Sequence, residues 1–482
     1  MVNNSQEKFK SGMSSTELDQ IKLEKHQYTK GLILFSLFSA IAIFVFFVQL
    51  TIGDESQIVF GFIFGFFITL LGDVGFWVLT VILTVNLILH IWTRYIRRDK
   101  AHKALANYYE GDTRAHTFLY TLGTLYVVLF TLHQTVPAFI GPEIIVGSST
   151  GGSVIPPIVL GVLWIILVGA VFMPFLINYG LLEFIGALLE PLMRPIFKLP
   201  GKAALNAVAS FLTSSSLAVL ITGRLYRQGI YTKREAATVA TCFSSVSIGF
   251  AFLVFDTAGV GHYFLQIFAS SFVIAFILAA IVIRIPPLSR KTLIYHDGRE
   301  QTEEDRRSEL RYSSKTFTRS INRAVKRAYT ANNALFEIKH SIMDGAKVIP
   351  QVLSMISAVG VSALIIAEYT RIFHWVGIVF QPLIMILQIP DAAAIAPSMP
   401  IGLAEMFLPV LLIAGDIDII SEQARFFVSL VSMVQIIFFS ETASVMLATK
   451  LPISLKELVI CFFQRTLLAM PLAALATHLF VR

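Results

Sequence analysis

The chain has 482 residues, of which 55% are hydrophobic and 14% charged, and its formal net charge is +7. Soluble domains carry about 25% charged residues, so this composition excludes an ordinary soluble globule. Mean hydropathy is +0.73. The basic residues sit mostly at the ends of apolar runs, as the positive-inside rule requires, and nucleic-acid binding is not expected.

The apolar runs are about 20 residues long, enough to cross a ~30 Å hydrocarbon core as helix. With no water in that core the backbone must bond to itself, and the period-2 alternation of a membrane barrel is absent. The expected fold class is therefore an all-α polytopic membrane protein. The two cysteines, Cys242 and Cys461, both lie in apolar runs and give neither a disulfide framework nor CxxC spacing. Residues 1–30 are hydrophilic and carry no signal-peptide core, so the first span is expected to direct insertion.

Taken in order, the first span is Gly31–Leu50, followed by an acidic turn at Asp54-Glu55. Residues 57–93 are one apolar stretch, about 55 Å long as a single helix and too long for one crossing. It divides at Gly72-Asp73 into Gln57–Leu71 and Val74–Trp92, and ends at the basic run from Arg94 to Lys100. Three full crossings before Arg94 would place the N-terminus outside, against the preference of Lys22, Lys25 and Lys30 for the inside. One of the three is thus a candidate re-entrant segment. Asp73 reads as a turn residue, and His133 and Asp256 as interfacial. Spans follow at Thr117–Val136 and Ile158–Ile177, separated by a linker, Gly141–Pro157, without Lys or Arg. Asn178–Leu199 mixes Glu183, Glu190, Arg194 and Lys198 with apolar residues and reads as an amphipathic interfacial helix ending at Leu199-Pro200-Gly201.

Residues 203–223 are long enough to span, yet both flanks are basic: Arg194, Lys198 and Lys202 before, Arg224, Arg227, Lys233 and Arg234 after. Thr213-Ser214-Ser215-Ser216 in the middle favours side-chain to backbone bonds over a clean helix. A re-entrant hairpin from the cytoplasmic side satisfies both facts. Spans at Ala236–Phe255 and Phe264–Ile283 come next, then a charged connector, residues 284–340, expected to be cytoplasmic and partly helical.

The pattern then recurs. A span at Val348–Ala367 precedes an amphipathic stretch, Arg371–Gln388, and Ile389-Pro390-Asp391 matches Leu199-Pro200-Gly201. The run Ala392–Ala414 is broken at Pro400-Ile401-Gly402-Leu403-Ala404-Glu405, and Ser214–Ser216 fall opposite Ala404–Met406 when counted from the two prolines. Its near flanks are acidic (Asp416, Asp418, Glu422), so this hairpin is expected to enter from outside. Spans at Ala424–Ala448 and Leu458–Phe480 close the unit. The expectation is an inverted repeat of two helical units, each with a re-entrant hairpin, in about 9–11 membrane segments. By residue number it comprises an N-terminal segment 1–30, N-terminal helices 31–140, a first repeat 141–283, the connector 284–340 and an inverted second repeat 341–482.

Interrupted segments at matching positions in the two halves point to a transporter's binding site. Glu405, at the second break, and Glu441, mid-span, are acids deep in apolar runs, where a charge costs about 2.5–3.5 kcal/mol and normally faces a cavity or partner. Ser214, Ser215 and Ser216, with Ser244, Ser245 and Ser247 of the next span, form a polar group suited to an anionic or hydroxyl-rich solute. Asn206 and Gln435 join them. Gln435 and Glu441 share a face only if their helix breaks near Ser440. Cys242, beside Ser244, reads as packing rather than a soft-metal ligand. No P-loop or HExxH spacing occurs, and enzyme activity is not expected.

Residues 158–283, with Leu189-Glu190-Pro191-Leu192, Leu199-Pro200-Gly201 and the serine-rich break, resemble the nucleoside-recognition or Gate domain. The strings Pro397–Pro409 and Val434–Glu441 resemble those of YjiH-type bacterial membrane proteins. The resemblance covers most of the chain after about residue 30. The Gate domain also occurs in concentrative nucleoside transporters, whose plan is inverted repeats with substrate and cation held at two hairpin tips. That resemblance implies tip positions for Ser214–Ser216 and Glu405 and the opposing span for Glu441. The function expected is a cation-coupled secondary transporter of a small polar solute, nucleoside-like or another small metabolite, in the bacterial cytoplasmic membrane. It would need no cofactor beyond coupling Na+ or H+. The alternatives are a metal-ion permease and a non-transporting membrane scaffold or sensor. The expected partners are the lipid bilayer and the solute, and nothing in the sequence excludes a homo-oligomer.

Overall fold

In a computed structural model of the chain, residues 18, 20–53, 55–96, 103–109, 112, 114–212, 215–245, 247–303, 312–313, 315–439 and 442–481 are described. Among them seven helices are long and apolar enough to cross a membrane. With the family likeness given below, this makes the protein a multi-pass, predominantly helical membrane protein, the one departure from the all-α expectation being a short β-hairpin among the described residues. In chain order the first elements are α1 (Lys25–Phe47), a β-hairpin of β1 (Gln49–Ile52) and β2 (Glu55–Ile58), α2 (Val59–Leu71), α3 (Val74–Ile91) and α4 (Arg114–Thr135). Helix α2 has 13 residues, about 20 Å, short of a crossing. Among the described residues two helices of crossing length, not three, therefore start before Arg94.

The chain divides into two compact units, one of Met1–Val48, Ala170–Ser247 and Ala279–Met343, the other of Gln49–Gly169, Ile248–Leu278 and Asp344–Arg482. Onward in the chain lie α5 (Leu160–Ile177), α6 (Leu181–Phe197), α7 (Ala203–Leu212), α8 (Ser215–Arg227), α9 (Lys233–Phe243), α10 (Ile248–Thr257) and α11 (Phe264–Val282). The connector supplies α12 (Lys315–Thr330) and the first residues of the 36-residue α13 (Ala334–Tyr369). Then come α14 (Gln381–Ile386), α15 (Ala392–Ile395), α16 (Ser398–Ile401), α17 (Leu408–Ala414), α18 (Glu422–Gln435), α19 (Thr442–Ala448) and α20 (Leu455–Phe480). Both spans expected to follow the hairpins, Ala236–Phe255 and Ala424–Ala448, are broken helices: α9 stops before Ser244 and α18 at Gln435.

In the first unit, α12 packs against α1 and α6. It buries Ala324, Val325 and Ala328 and presents arginines to the acids of α6. Arg327 Nε lies 3.1 Å from Glu183 Oε1, and Arg323 Nη1 lies 2.6 Å from Glu190 Oε2. The amphipathic character of α6 read from sequence is thus matched by a helix of the connector. Gly180, at φ 96°, allows the close approach, because a Cβ there would stand 2.3 Å from the Ala324 carbonyl oxygen.

In the second unit, α3 packs on α4. Asn86 Nδ2 donates to Ser354 Oγ of α13 at 3.2 Å, and His90 Nδ1 lies 3.1 Å from Asp112 Oδ2. Helix α20 lies along α18, and α10 packs on α17 and α18, with the Phe250 and Phe407 rings 5.7 Å apart.

The stop signals before the two hairpins match in backbone conformation. Lys198 and Gln388 both take left-handed φ, 54° and 56°, and each is followed by a buried aliphatic residue and a proline. The Leu199 amide donates back to Met193 and the Ile389 amide to Ile384, closing each helix end.

Candidate functional site

A segment that doubles back, followed by a broken helix, occurs twice in the chain, and most of the candidate residues lie on these two stretches. In the first unit, Asn206 Nδ2 donates to Thr222 Oγ1 at 2.8 Å. These residues are 16 apart in sequence, and a continuous helix would separate them by about 24 Å. Helices α7 and α8 are therefore antiparallel arms. The Thr222 hydroxyl passes the bond on to the Ala218 carbonyl at 2.8 Å. The turn between the arms holds residues 213–214, so Ser214 lies outside the described residues, as does the side chain of Ser216. Ser215 opens α8 at 1% exposure. Its hydroxyl and the Asn206 Oδ1 have no hydrogen-bond partner among the described residues.

Both arms pack against α9, which begins at a capping box. Thr232 accepts from the Glu235 amide while the Glu235 carboxylate accepts from the Thr232 amide. Helix α9 ends where Ser244 leaves helical geometry, at φ −84° and ψ 61°. Ser244 and Ser245 are buried, and the Ser245 hydroxyl has no partner among the described residues. Ser247 is half-buried next to the start of α10. Cys242, fully buried, lies 3.8 Å from Thr241 Oγ1. No cluster of three His, Cys, Asp or Glu side chains able to hold a metal occurs among the described residues.

In the second unit, the ends of the doubled-back segment are tied directly. The Ser421 amide donates to Asp391 Oδ2 at 2.8 Å across 30 residues, which a straight helix would hold about 45 Å apart. Between α16 and α17 the chain turns through Gly402–Phe407. Three of the carbonyls in and beside this turn are held by α18 and its broken end: Met399 accepts from Gln435 Nε2 at 2.7 Å, Leu403 from the Phe439 amide at 2.8 Å, and Met406 from Ser432 Oγ. Gln435 Nε2 also donates to Thr466 Oγ1 of α20 at 3.1 Å. The approach is close enough to require glycine, since a Cβ on Gly402 would stand 1.9 Å from Gln435 Oε1. That oxygen, on a residue 1% exposed, has no partner among the described residues. Glu405 lies half-buried in the same turn, and its Oε1 accepts from the Phe407 amide at 3.5 Å. Glu441 lies outside the described residues.

The end of α18 is made by residues that sequence reasoning passed over. Ile436 takes φ 50°, a left-handed value that a β-branched residue rarely adopts. Thr442 Oγ1 accepts from the Phe438 amide at 2.9 Å and donates to the Ile436 carbonyl at 2.9 Å. Arg465, fully buried in α20, donates from Nε and Nη2 to Val434 O at 3.2 and 2.8 Å, and from Nε to Gln435 O at 3.3 Å. The sequence signal was available: Arg465 is a cation inside the apolar run Leu458–Phe480. Ser398, buried on α16 with an unpartnered hydroxyl among the described residues, gave no signal beyond being a serine. A GxSxG spelling does occur, at Gly147-Ser148-Ser149-Thr150-Gly151. It lies between two four-residue helical turns and lacks the strand-to-helix elbow that exposes a nucleophilic serine.

A model of the Gate family, described as nucleoside recognition, matches residues 159–261. The chain is 38% identical over 345 residues to the uncharacterized protein BpOF4_10220 of Alkalihalophilus pseudofirmus, covering 71% of this chain and 72% of that one. It is 30% identical over 95 residues to the sporulation integral membrane protein YlbJ of Bacillus subtilis, covering 18% and 22% of the two chains. Among solved structures it is similar to CNTnw in an inward-facing substrate-bound state, at 13% identity and a TM-score of 0.46, over 95% of this chain and 99% of that one.

Proposed function

The chain belongs to the family of BpOF4_10220, and from that membership and its Gate domain we propose that it is a secondary transporter. Its solute is small and polar, nucleoside-like in hydrogen-bonding character, and its movement across the cell membrane is coupled to Na+ or H+. The observation that carries this reading is the recurrence of one device. A doubled-back segment is followed at once by a broken helix, and the polar residues concentrate at the turns and breaks. Broken helices free backbone groups that a wet cavity tolerates and lipid does not.

A buried polar atom without a partner costs about 1–3 kcal/mol. Asn206 Oδ1, Ser215 Oγ, Ser245 Oγ and Gln435 Oε1 all carry that cost among the described residues. Such atoms are acceptors and hydroxyls waiting for a ligand's donors. In this reading Ser214, Ser215, Ser216 and Asn206 belong to the first turn and its arm, and Ser244, Ser245 and Ser247 to the first break. Glu405 belongs to the second turn, with Gln435 and Glu441 at the second break.

The test is uptake of radiolabelled uridine and adenosine by proteoliposomes carrying the full chain, under an imposed Na+ or H+ gradient. Accumulation that an ionophore collapses, and that Glu405→Gln and Glu441→Gln each reduce at least 10-fold, is the expected result. Wild-type protein that accumulates no nucleoside, nucleobase or polyol under either gradient sinks the reading.

A further inference from the structure

Helix α18 stops in the middle of an apolar run without a glycine or proline at the stop. Its last carbonyls have no intrahelical partner, and the partial negative charge of the helix end gathers there. The next residue, Ile436, is β-branched at φ 50°, so local sequence opposes the break. Something else must hold the break open. The only guanidinium bonded to this end among the described residues is that of Arg465, which grips Val434 O and Gln435 O from α20.

We propose that Arg465 is a positioning residue for solute binding. Its guanidinium holds α18 broken after Gln435, which keeps the Gln435 carboxamide against the hairpin turn with Oε1 presented as an acceptor. The guanidinium suits the task because it is always charged and its planar fork spans two adjacent carbonyls. The amide half of Gln435 is committed to Met399 O and Thr466 Oγ1, so the carboxamide cannot flip without losing both bonds. What remains is an oxygen that recognises a donor, such as an amino, imino or hydroxyl group of a nucleoside. The Gln435 carbonyl also accepts from the Ile437 amide at 2.7 Å, so it is Val434 O that the guanidinium chiefly serves; without it, that carbonyl would recover a partner most readily by continuing the helix through 438 and 439. That would pull the Phe439 amide from Leu403 O and rotate Gln435 away from the turn. The proposal rests on the reading of the hairpin turns as the solute site.

The experiment measures uridine uptake by proteoliposomes of the full chain for Arg465→Gln, Arg465→Lys and the double variant Arg465→Gln/Ile436→Gly. A second readout needs no solute. Cys461 lies one helical turn before Arg465, is fully buried, and is labelled by N-ethylmaleimide in a Cys242→Ser background. Arg465→Gln is expected to raise KM for uridine at least 10-fold while changing the maximal rate less than threefold, and to label Cys461 at least 10-fold faster. Glycine at 436 accepts positive φ without strain, so the double variant is expected to return KM to within threefold of wild type. A residue that only packs α20 would not respond to that change. Wild-type KM in Arg465→Gln overturns the proposal, whatever the labelling rate. Should Arg465→Gln fail to accumulate, Arg465→Lys carries the test, with a 3–10-fold rise in KM expected and an unchanged KM overturning the proposal. If the wild-type protein takes up no uridine, the transport reading fails separately. Labelling then decides for Arg465: acceleration reversed by Ile436→Gly supports it as the holder of the break, and equal rates overturn it.

Discussion

The two broken helices solve the same problem by different means. The break after α9 is built from serines: Ser244 leaves the helix, Ser245 is buried without a partner among the described residues, and Ser247 precedes α10. The break after α18 is built against the preference of its own sequence, with Ile436 at positive φ, and is held by Arg465 and Thr442. A serine-built break leaves hydroxyls to exchange with a solute or ion. An arginine-built break has its cation already in place. The break after α9 is therefore read as the adaptable one of the two and the break after α18 as the fixed one.

The sharpest way to break this comparison is at the two turns. Gly402→Ala puts a methyl group 1.9 Å from Gln435 Oε1, so the carboxamide must leave Met399 O and Thr466 Oγ1. Overpacking and two lost buried bonds together cost about 2–6 kcal/mol. Ser215→Ala, at the other turn, removes a buried hydroxyl that bonds nothing described and should raise stability, by up to about 1–3 kcal/mol, as that cost is relieved. Thermal unfolding in detergent measures both. Equal and small effects at the two turns would mean that the second half is no more rigid than the first.

Charge, run length and prolines make much of this legible in the sequence alone. The helical membrane class, the two interrupted segments and their matching stop motifs follow from long-range composition and from Pro200 and Pro390. Two features escaped. The span expected at Ala236–Phe255 reads as continuous because Ser244, Ser245 and Ser247 are compatible with a membrane helix, and only packing shows where the backbone departs. The stop at Gln435 is bonded by Arg465, which is distant in sequence, as well as by Thr442, so a window around Val434-Gln435-Ile436 does not contain the groups that hold it. Glu183 and Glu190 pointed correctly to an amphipathic helix, but not to its partner, because Arg323 and Arg327 sit in a connector whose charges read simply as cytoplasmic.

That pairing sharpens the comparison at smaller energy. Glu190 of the first repeat corresponds to Gln381 of the second by the matched prolines that follow them, so the acidic anchoring is one-sided. On the anchored side, burial pushes the Glu183 carboxyl up to about 6, opposed by Arg327. Its ordinary value is 4.5. Between about pH 4.5 and 6 the folded state holds more protons than the unfolded, so stability falls as pH rises through that window. The change amounts to about 2 kcal/mol from this group. Thermal unfolding followed from pH 4 to 7.5 should show that decline in the wild-type protein and a flatter profile in Glu183→Gln. A decline of equal size in both would assign the pH dependence to other groups.

The smallest effect separates the two hairpins most directly. The second is tied at its ends by Asp391 and Ser421, the first between its arms by Asn206 and Thr222. Thr222 keeps its bond to Ala218 O when Asn206 is lost. The single change Asn206→Ala therefore reports a different quantity from the double change with Thr222→Val, and the coupling between them isolates the cross-arm bond. A neutral side-chain bond of this kind contributes about 0.5–1.5 kcal/mol, and residues in contact couple by at least about 0.5 kcal/mol where distant ones simply add. Coupling of that size in thermal unfolding places residues 16 apart in sequence side by side, which only a doubled-back chain allows. Strict additivity would mean that α7 and α8 do not pair through these residues, and the first segment would then lose its evidence for doubling back.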